Sequence, residues 1–402
     1  IALSLAVANM TFGFGIFFPY LPLFAESLGA SLGLQIGLLT TGFMITRTIT
    51  SLGLGSISDR IGRKHSIVYG LFIYGVITIL FYFSQDWKHV LILRTFQGIT
   101  AGLIWPSARA FIYDLVETGA RGRAISVLNV SAGIGMAIGP IFGAFLLAYF
   151  QSNYSLSAVD SFRIPFIFAG SFGILSSIFA FATLPSSKFS QQRTRLFKIL
   201  DDIDAKYIYT FYSSLLMNFS HGFAFGMFRP VLVLYVYQVL GYSLIETASI
   251  SAISFSLGAF SNSLSQIVGG RLADSKNRRL IITFAIILGQ LSTFSIIFVD
   301  NIFQLYFLVI CRFSMIGLFL PSLVSLEGDI IPSAQRGQLS GLIEGFRGFG
   351  SAVGPIICFV FYDYVWKGSP FVISPLLLLI SLIIFYVYYN DPLIQTRKVD
   401  LF

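Results

Sequence analysis

Residues 55–64 read Gly55-Ser56-Ile57-Ser58-Asp59-Arg60-Ile61-Gly62-Arg63-Lys64, and 215 positions later residues 270–279 read Gly270-Arg271-Leu272-Ala273-Asp274-Ser275-Lys276-Asn277-Arg278-Arg279. Under this offset Gly55, Asp59 and Arg63 fall on Gly270, Asp274 and Arg278. The same shift carries Pro106-Ser107 onto Pro321-Ser322, Asp114 onto Asp329, and Arg121-Gly122 onto Arg336-Gly337. It also places Gly135, Gly139 and Pro140 on Gly350, Gly354 and Pro355. The chain is two copies of one unit, and what the copies share is turn formers, charges and small helix-packing residues. In a membrane protein, two such halves enclose a site between them and move against each other.

Composition agrees with a membrane setting. Hydrophobic residues make up 55% of the 402 positions and charged residues 11%, against roughly 25% charged in a soluble domain. Apolar runs of about 20 residues, enough to span a bilayer, recur along the whole chain. They lie near 1–25, 33–57, 65–84, 90–113, 124–150, 162–184, 207–238, 245–270, 280–299, 302–327, 338–363 and 370–390. The expected fold is therefore an all-α polytopic membrane protein with twelve transmembrane helices in two six-helix pseudo-repeats. The first bundle covers 1–184, a cytoplasmic linker 185–206, and the second bundle with a short cytoplasmic tail 207–402.

The net charge of +8 could suggest a nucleic-acid partner, but its placement points elsewhere. Of 26 Lys and Arg, 17 fall in alternate connections. They are Arg60, Arg63, Lys64, Arg121, Arg123, Lys188, Arg193, Arg195, Lys198, Lys206, Arg271, Lys276, Arg278, Arg279, Arg336, Arg397 and Lys398. The opposite connections hold three, Lys88, Arg163 and Lys367. Positive charge marks the cytoplasmic face, so both termini are expected inside the cell, in the inner (plasma) membrane. The partners expected are a lipid bilayer and a small-molecule substrate, with no nucleic acid. Cys311 and Cys358 lie in apolar runs and read as packing residues rather than a disulfide or metal pair.

Each repeated loop places Asp and Arg four positions apart at a helix end, able to pair with charges on neighbouring helices. Asp114 and Asp329, ending helices 4 and 10, are the expected partners of Arg63 and Arg278. With these residues the chain resembles the major facilitator superfamily of secondary transporters, over nearly its whole length. Gly55, Asp59, Arg60, Gly62, Arg63 and Lys64 look like that family's signature loop. Arg94-Thr-Phe-Gln97-Gly98-Ile-Thr-Ala101-Gly102 in helix 4 is similar to its second motif. Gly135, Gly139 and Pro140 in helix 5 resemble the motif of proton-coupled drug antiporters. The same spacing at Gly350, Gly354 and Pro355 also fits plain helix packing. The resemblance implies that helices 1, 2, 4, 5, 7, 8, 10 and 11 face a central cavity while 3, 6, 9 and 12 face lipid. It also implies that the Asp59/Arg63/Asp114 and Asp274/Arg278/Asp329 clusters act as conformational latches, and that a monomer is the working form.

Ionisable residues within the spans single out candidate site residues, because a charge at mid-bilayer costs roughly 2.5–3.5 kcal/mol even on the lenient insertion scale. They are Arg47, Arg94, Arg109, His221, Arg229, Arg312, Glu344 and Arg347. Arg47 lies about 18 Å from Asp59 along its helix, and Arg347 about 16 Å past Arg336, at 1.5 Å per residue. Arg109, five residues from Asp114, belongs with the cytoplasmic cluster. Arg47, Arg94, Arg229, Arg312 and Arg347 are the expected substrate ligands, since the planar guanidinium fork matches a carboxylate or phosphate. Glu344, read as the only carboxylate well inside the membrane, and His221 are the candidate proton carriers.

The function expected is proton-coupled secondary transport, by alternating access, of a small organic anion or amphipathic solute. The alternative is a multidrug/proton antiporter for neutral or cationic amphipathic compounds, against which helix 1 offers only Asn9 and Thr11 where such proteins often place an acid. A non-transporting receptor is the remote alternative. No phosphate-binding glycine loop and no catalytic or metal-binding constellation stands out, so an enzyme is not expected, nor is any cofactor. The energy source expected is a proton gradient rather than ATP.

Overall fold

The structure, a computed structural model, describes residues 1–53, 61–117, 121–185, 203–273, 278–331 and 336–390; of 53, 121–122 and 336–338 it gives the helical backbone only. Gly55, Asp59, Arg60 and Asp274, and most of the expected linker, lie outside the described residues. Among the described residues, twelve long helices carry the chain. The first half holds α1 (Ala2–Ser27), α2 (Gly33–Gly53), α3 (Arg63–Leu80), α4 (Trp87–Leu115), α5 (Arg121–Tyr154) and α6 (Ala158–Thr183). The second holds α7 (Ile208–Gln238), α8 (Leu244–Ala273), α9 (Arg278–Phe294), α10 (Ile302–Ile330), α11 (Arg336–Tyr364) and α12 (Pro370–Tyr388). Over the described residues, ten of them are long and apolar enough to cross a membrane. The other two, α2 and α4, are the more polar spans: α2 has Thr40, Thr41, Thr46, Thr48 and Thr50 around Arg47, and α4 has Arg94 and Arg109.

The sequence repeat is also a repeat of contacts. In the first half α1 packs on α5 and α6, α2 on α4, and α3 on α4 and α6. In the second, α7 packs on α11 and α12, α8 on α10, and α9 on α10 and α12. Between the halves the main contacts are α2 with α11 and α5 with α8. Adding six helices to α2 and α11 in turn exchanges one pair for the other, which is what a two-fold relation between the halves requires.

Local chemistry follows the same rule. Asp86 accepts the Lys88 amide at the start of α4 and Asn301 accepts the Gln304 amide at the start of α10, equivalent N-caps 215 residues apart. Gly62, at φ +93°, takes the left-handed turn that leads into α3, a conformation a side chain would oppose. The helix 5 motif packs against α1. A Cβ at Gly139 would fall on the Phe12 carbonyl oxygen and the backbone of Gly15. Its repeat partner Gly354 meets the Phe223 carbonyl of α7 in the same way, and Gly350 meets that of Phe219. Pro140 rests on Gly15. Gly135, Gly139, Pro140, Gly350, Gly354 and Pro355 are thus in equivalent helix-packing positions in the two halves.

Candidate functional site

Two charged regions occupy the interface between the halves. The first lies toward the end of the bundle that carries Arg63 and Arg278. Arg63 Nε donates to Asp114 Oδ2 at 3.2 Å, and Arg278 Nη1 to Asp329 Oδ2 at 2.7 Å. Each pair ties the start of one helix to the end of the next within its own half. Lys64 sits over the Phe181 ring at 5.2 Å.

Deeper in, a chain of side chains crosses from one half to the other. Asn218 of α7 donates from Nδ2 to Glu327 Oε1 at 2.6 Å, while its Oδ1 accepts from Arg347 Nη2 at 2.5 Å and from Nε at 3.1 Å. Arg347 Nη1 reaches Glu344 Oε1 at 3.1 Å, one turn away on α11. The same oxygen lies 3.7 Å from Arg109 Nη1, on α4 of the first half. Arg47 stands within electrostatic reach of Glu344, Arg109 and Arg347. Arg109 therefore faces the other half rather than joining the Asp114 cluster.

Glu344 is not the only interior carboxylate. Glu327 is buried (4% exposed), whereas the Glu344 side chain is 44% exposed and shared between two arginines. Sequence reasoning passed over Glu327 because it stands one turn from the end of α10, beside Asp329. Its burial depends on α7 crossing that end, a fact of packing. The available signal was that its repeat partner is Ile112, an apolar residue. His221 packs its ring edge-on to Phe319 at 5.1 Å and makes no hydrogen bond among the described residues.

Three of the expected substrate ligands lie elsewhere. Arg94 is buried (1% exposed); its Nη1 donates to Gln97 Oε1 at 2.6 Å, and its guanidinium lies 4.2 Å from the Phe43 ring of α2. Gln97 in turn donates to Thr78 at 2.9 Å. Arg312, also buried, donates to Thr293 Oγ1 at 2.6 Å and to the Ala224 carbonyl at 3.2 Å. Thr78 and Thr293 are repeat partners, and so are Gln97 and Arg312, so one hydrogen-bonding slot is filled by an amide in one half and a guanidinium in the other. Arg94 and Arg312 accordingly sit inside their own helix packing, not with Arg47 and Arg347.

Arg229 forms the second charged region, with Arg312 in its electrostatic neighbourhood. Its guanidinium lies between Phe225 on its own helix, at 4.9 Å, and Phe18 of the first half, at 4.8 Å. It borders a narrow cleft whose walls come from α1, α2, α7 and α8.

At the end of the bundle beyond this cleft the halves are tied directly. Asp363 of α11 accepts the amides of Gly33 and Leu34, the first two residues of α2, at 2.9 and 2.8 Å. Gln238 donates to Glu26 at 3.1 Å and accepts from Tyr362 at 3.2 Å.

Two repeated six-helix halves meeting around buried charge define a membrane carrier of small solutes. The Major Facilitator Superfamily profile matches residues 3–199 and 214–400, and the chain belongs to that family. It is 28% identical over 355 residues to an uncharacterized MFS-type transporter of Methanocaldococcus jannaschii, covering 86% of each chain. It is 26% identical over 370 residues to multidrug resistance protein 1 of Bacillus subtilis, covering 90% of each. Its fold is similar to that of a bacterial homolog of the human lysosomal transporter Spinster, solved in an inward-facing, occupied conformation. That match has a TM-score of 0.77 at 15% identity, over 96% of this chain and 95% of the other.

Proposed function

We propose that this chain is a proton-linked secondary transporter that exports an amphipathic small molecule by alternating access, as a monomer in the plasma membrane. In this reading the end carrying Arg63 and Arg278 faces the cytoplasm, where the excess of Lys and Arg lies. The observation that carries the reading is the run Glu327–Asn218–Arg347–Glu344–Arg109, which links a buried carboxylate of one half to the other half. Similarity to a protein named for multidrug resistance favours export of amphipathic compounds. The free-energy source is the ion gradient, since no nucleotide-binding motif stands in the sequence.

The coupling works by competition for Arg347. Ionised Glu327 is charged toward Asn218 and draws Arg347 to that amide, loosening its hold on Glu344, which then turns to Arg109 across the interface. Protonated Glu327 releases Arg347 to Glu344 and weakens the cross-half pair. One proton on α10 thereby changes how strongly the halves hold each other, and a ligand or proton shifts the equilibrium only through such a difference between states. Glu344 acts as the switched partner in this scheme, and His221, edge-on to the Phe319 ring, does not carry the proton.

The test is a proteoliposome assay with an imposed pH gradient and a fluorescent amphipathic dye. Glu327→Gln, which fixes the neutral form, is expected to keep dye binding and to lose gradient-driven accumulation at least tenfold. Unchanged gradient-driven accumulation in Glu327→Gln would sink the coupling role.

A further inference from the structure

Two adjacent arginines open α9 and part company. Arg278 is fully buried and pairs with Asp329 inside the second half. Arg279 is half-buried and goes instead to the end of α12, on the outer side of the same half. Its guanidinium lies 3.5 Å from the centre of the Tyr386 ring and 5.3 Å from that of Tyr389. Nη2 donates to the Tyr386 carbonyl at 2.9 Å, the one acceptor Arg279 has among the described residues. Nε is buried without an acceptor, and no described carboxylate pairs with the group. The rings and the carbonyl hold the guanidinium in place but leave its net charge uncompensated.

The surroundings are those of a bilayer surface. Leu280 and Phe284 of α9, and Ile383 and Val387 of α12, are exposed apolar side chains on two helices that pack together. The start of α7 reaches the same rim, where Tyr209 stacks on Tyr388 at 5.6 Å and Asn390 donates to the Lys206 carbonyl at 3.2 Å. Lys206 itself is exposed, with its amide capped by Asp204. Tyrosines and basic side chains above an apolar face mark a membrane–water boundary.

From this arrangement we infer that the α9–α12 edge binds the phosphate of an anionic phospholipid, with Arg279 as the residue that grips it. The inference rests on the reading that this end of the bundle faces the cytoplasm, where anionic lipid is concentrated. A guanidinium meets a phosphate with parallel N–H donors, and Arg279 has donors to spare. Stacking on Tyr386 already fixes the plane of the group, so little side-chain freedom is lost when the lipid arrives. The acyl chains then lie on the exposed apolar faces of α9 and α12. The first half carries a weaker version of the same device. The repeat partner of Arg279 is Lys64, over the ring of Phe181, which stands two residues from the end of α6 as Tyr386 does from the end of α12. Lysine is a point charge without a fork, which makes the second half the stronger site. Both α9 and α12 belong to one half, so the lipid is carried with that half and does not link the two.

The experiment is native mass spectrometry of the full chain, stripped of lipid in detergent and titrated with dioleoylphosphatidylglycerol or dioleoylphosphatidylcholine. These lipids share their chains and differ in net charge. The first phosphatidylglycerol is expected to bind about fivefold more tightly than the first phosphatidylcholine, the effect of one basic residue at an anionic surface. The preference should be lost in Arg279→Gln and partly kept in Arg279→Lys. It should be unchanged in Arg271→Gln, which removes the same charge from the exposed end of α8. Equal binding of the two lipids, or a preference that survives Arg279→Gln, overturns the inference. So does displacement of phosphatidylglycerol by equimolar glycerol 3-phosphate, which would make this a site for a soluble ester. If Arg279→Gln does not fold, Arg279→Lys decides, because lysine keeps the charge and loses the fork; a wild-type preference there overturns the grip assigned to Arg279. Binding in detergent is indifferent to orientation and to transport, so its failure removes this inference alone. The transport reading falls separately, by loss of gradient-driven dye accumulation in the wild-type chain.

Discussion

Arg94 shows how a cation can be held inside a helical bundle without an acid. Its partners are the Gln97 amide, the Phe43 face and, through Gln97, the Thr78 hydroxyl. Gln97→Leu would leave a buried guanidinium without its main acceptor, a loss of about 2 kcal/mol for a hydrogen bond to a charged group. A lower thermal unfolding midpoint in detergent is the expected result, with Gln97→Glu less affected because it keeps an acceptor. Counting residues from a loop gives depth along a helix but not the direction a side chain takes. Arg94, Arg229 and Arg312 were therefore legible as interior charges and illegible as members of different sites. Glu327 was illegible for the converse reason, since its burial comes from α7 rather than from depth. Directional information is weak here because helices clad in lipid on one face and protein on the other are apolar all round.

The helices themselves were largely legible: their number and approximate limits follow from apolar length and from glycines, turns and charges repeated at one offset. The α1–α5 and α7–α11 pairs pack backbone to backbone, so they tolerate no Cβ at the contact. Gly354→Ala would drive a methyl group into the Phe223 carbonyl and should destabilise by about 1–3 kcal/mol. Gly341 lies on the same helix with open space where a Cβ would point, nothing standing within 4 Å. Gly341→Ala should instead stabilise by about 0.5–1 kcal/mol, the ordinary gain in a helix interior. Thermal unfolding of the two variants side by side checks the difference in sign. If both variants destabilise equally, the close approach is not what limits these positions.

For the molecule as a whole, the two interfaces α2–α11 and α5–α8 are exchanged by the repeat, yet their polar chemistry differs. Asp363 ties α11 to the start of α2, while its repeat partner in α5 is Ala148. Asp363→Asn removes the charge that favours a helix N-terminus, about 0.3–1 kcal/mol, and keeps the size. Spin labels at the exposed Ser31 and Lys367, one in each half, should then report a larger population at long distance. An unchanged distance distribution would mean that apolar packing alone holds this end together.

The α8 helix begins with its own capping box, Ser243 and Glu246 serving each other's amides. Only half of such a box opens α2, Gln35 accepting the Leu32 amide, and the amides of Gly33 and Leu34 depend on a carboxylate of the opposite half. Separating the halves at that end therefore strips the Gly33 and Leu34 amides of their acceptor and leaves them to water. The motion of two rigid bundles would carry with it a small local fraying of the main chain. Solvent deuterium entering those two amides would mark time spent open, with no label attached and no side chain altered.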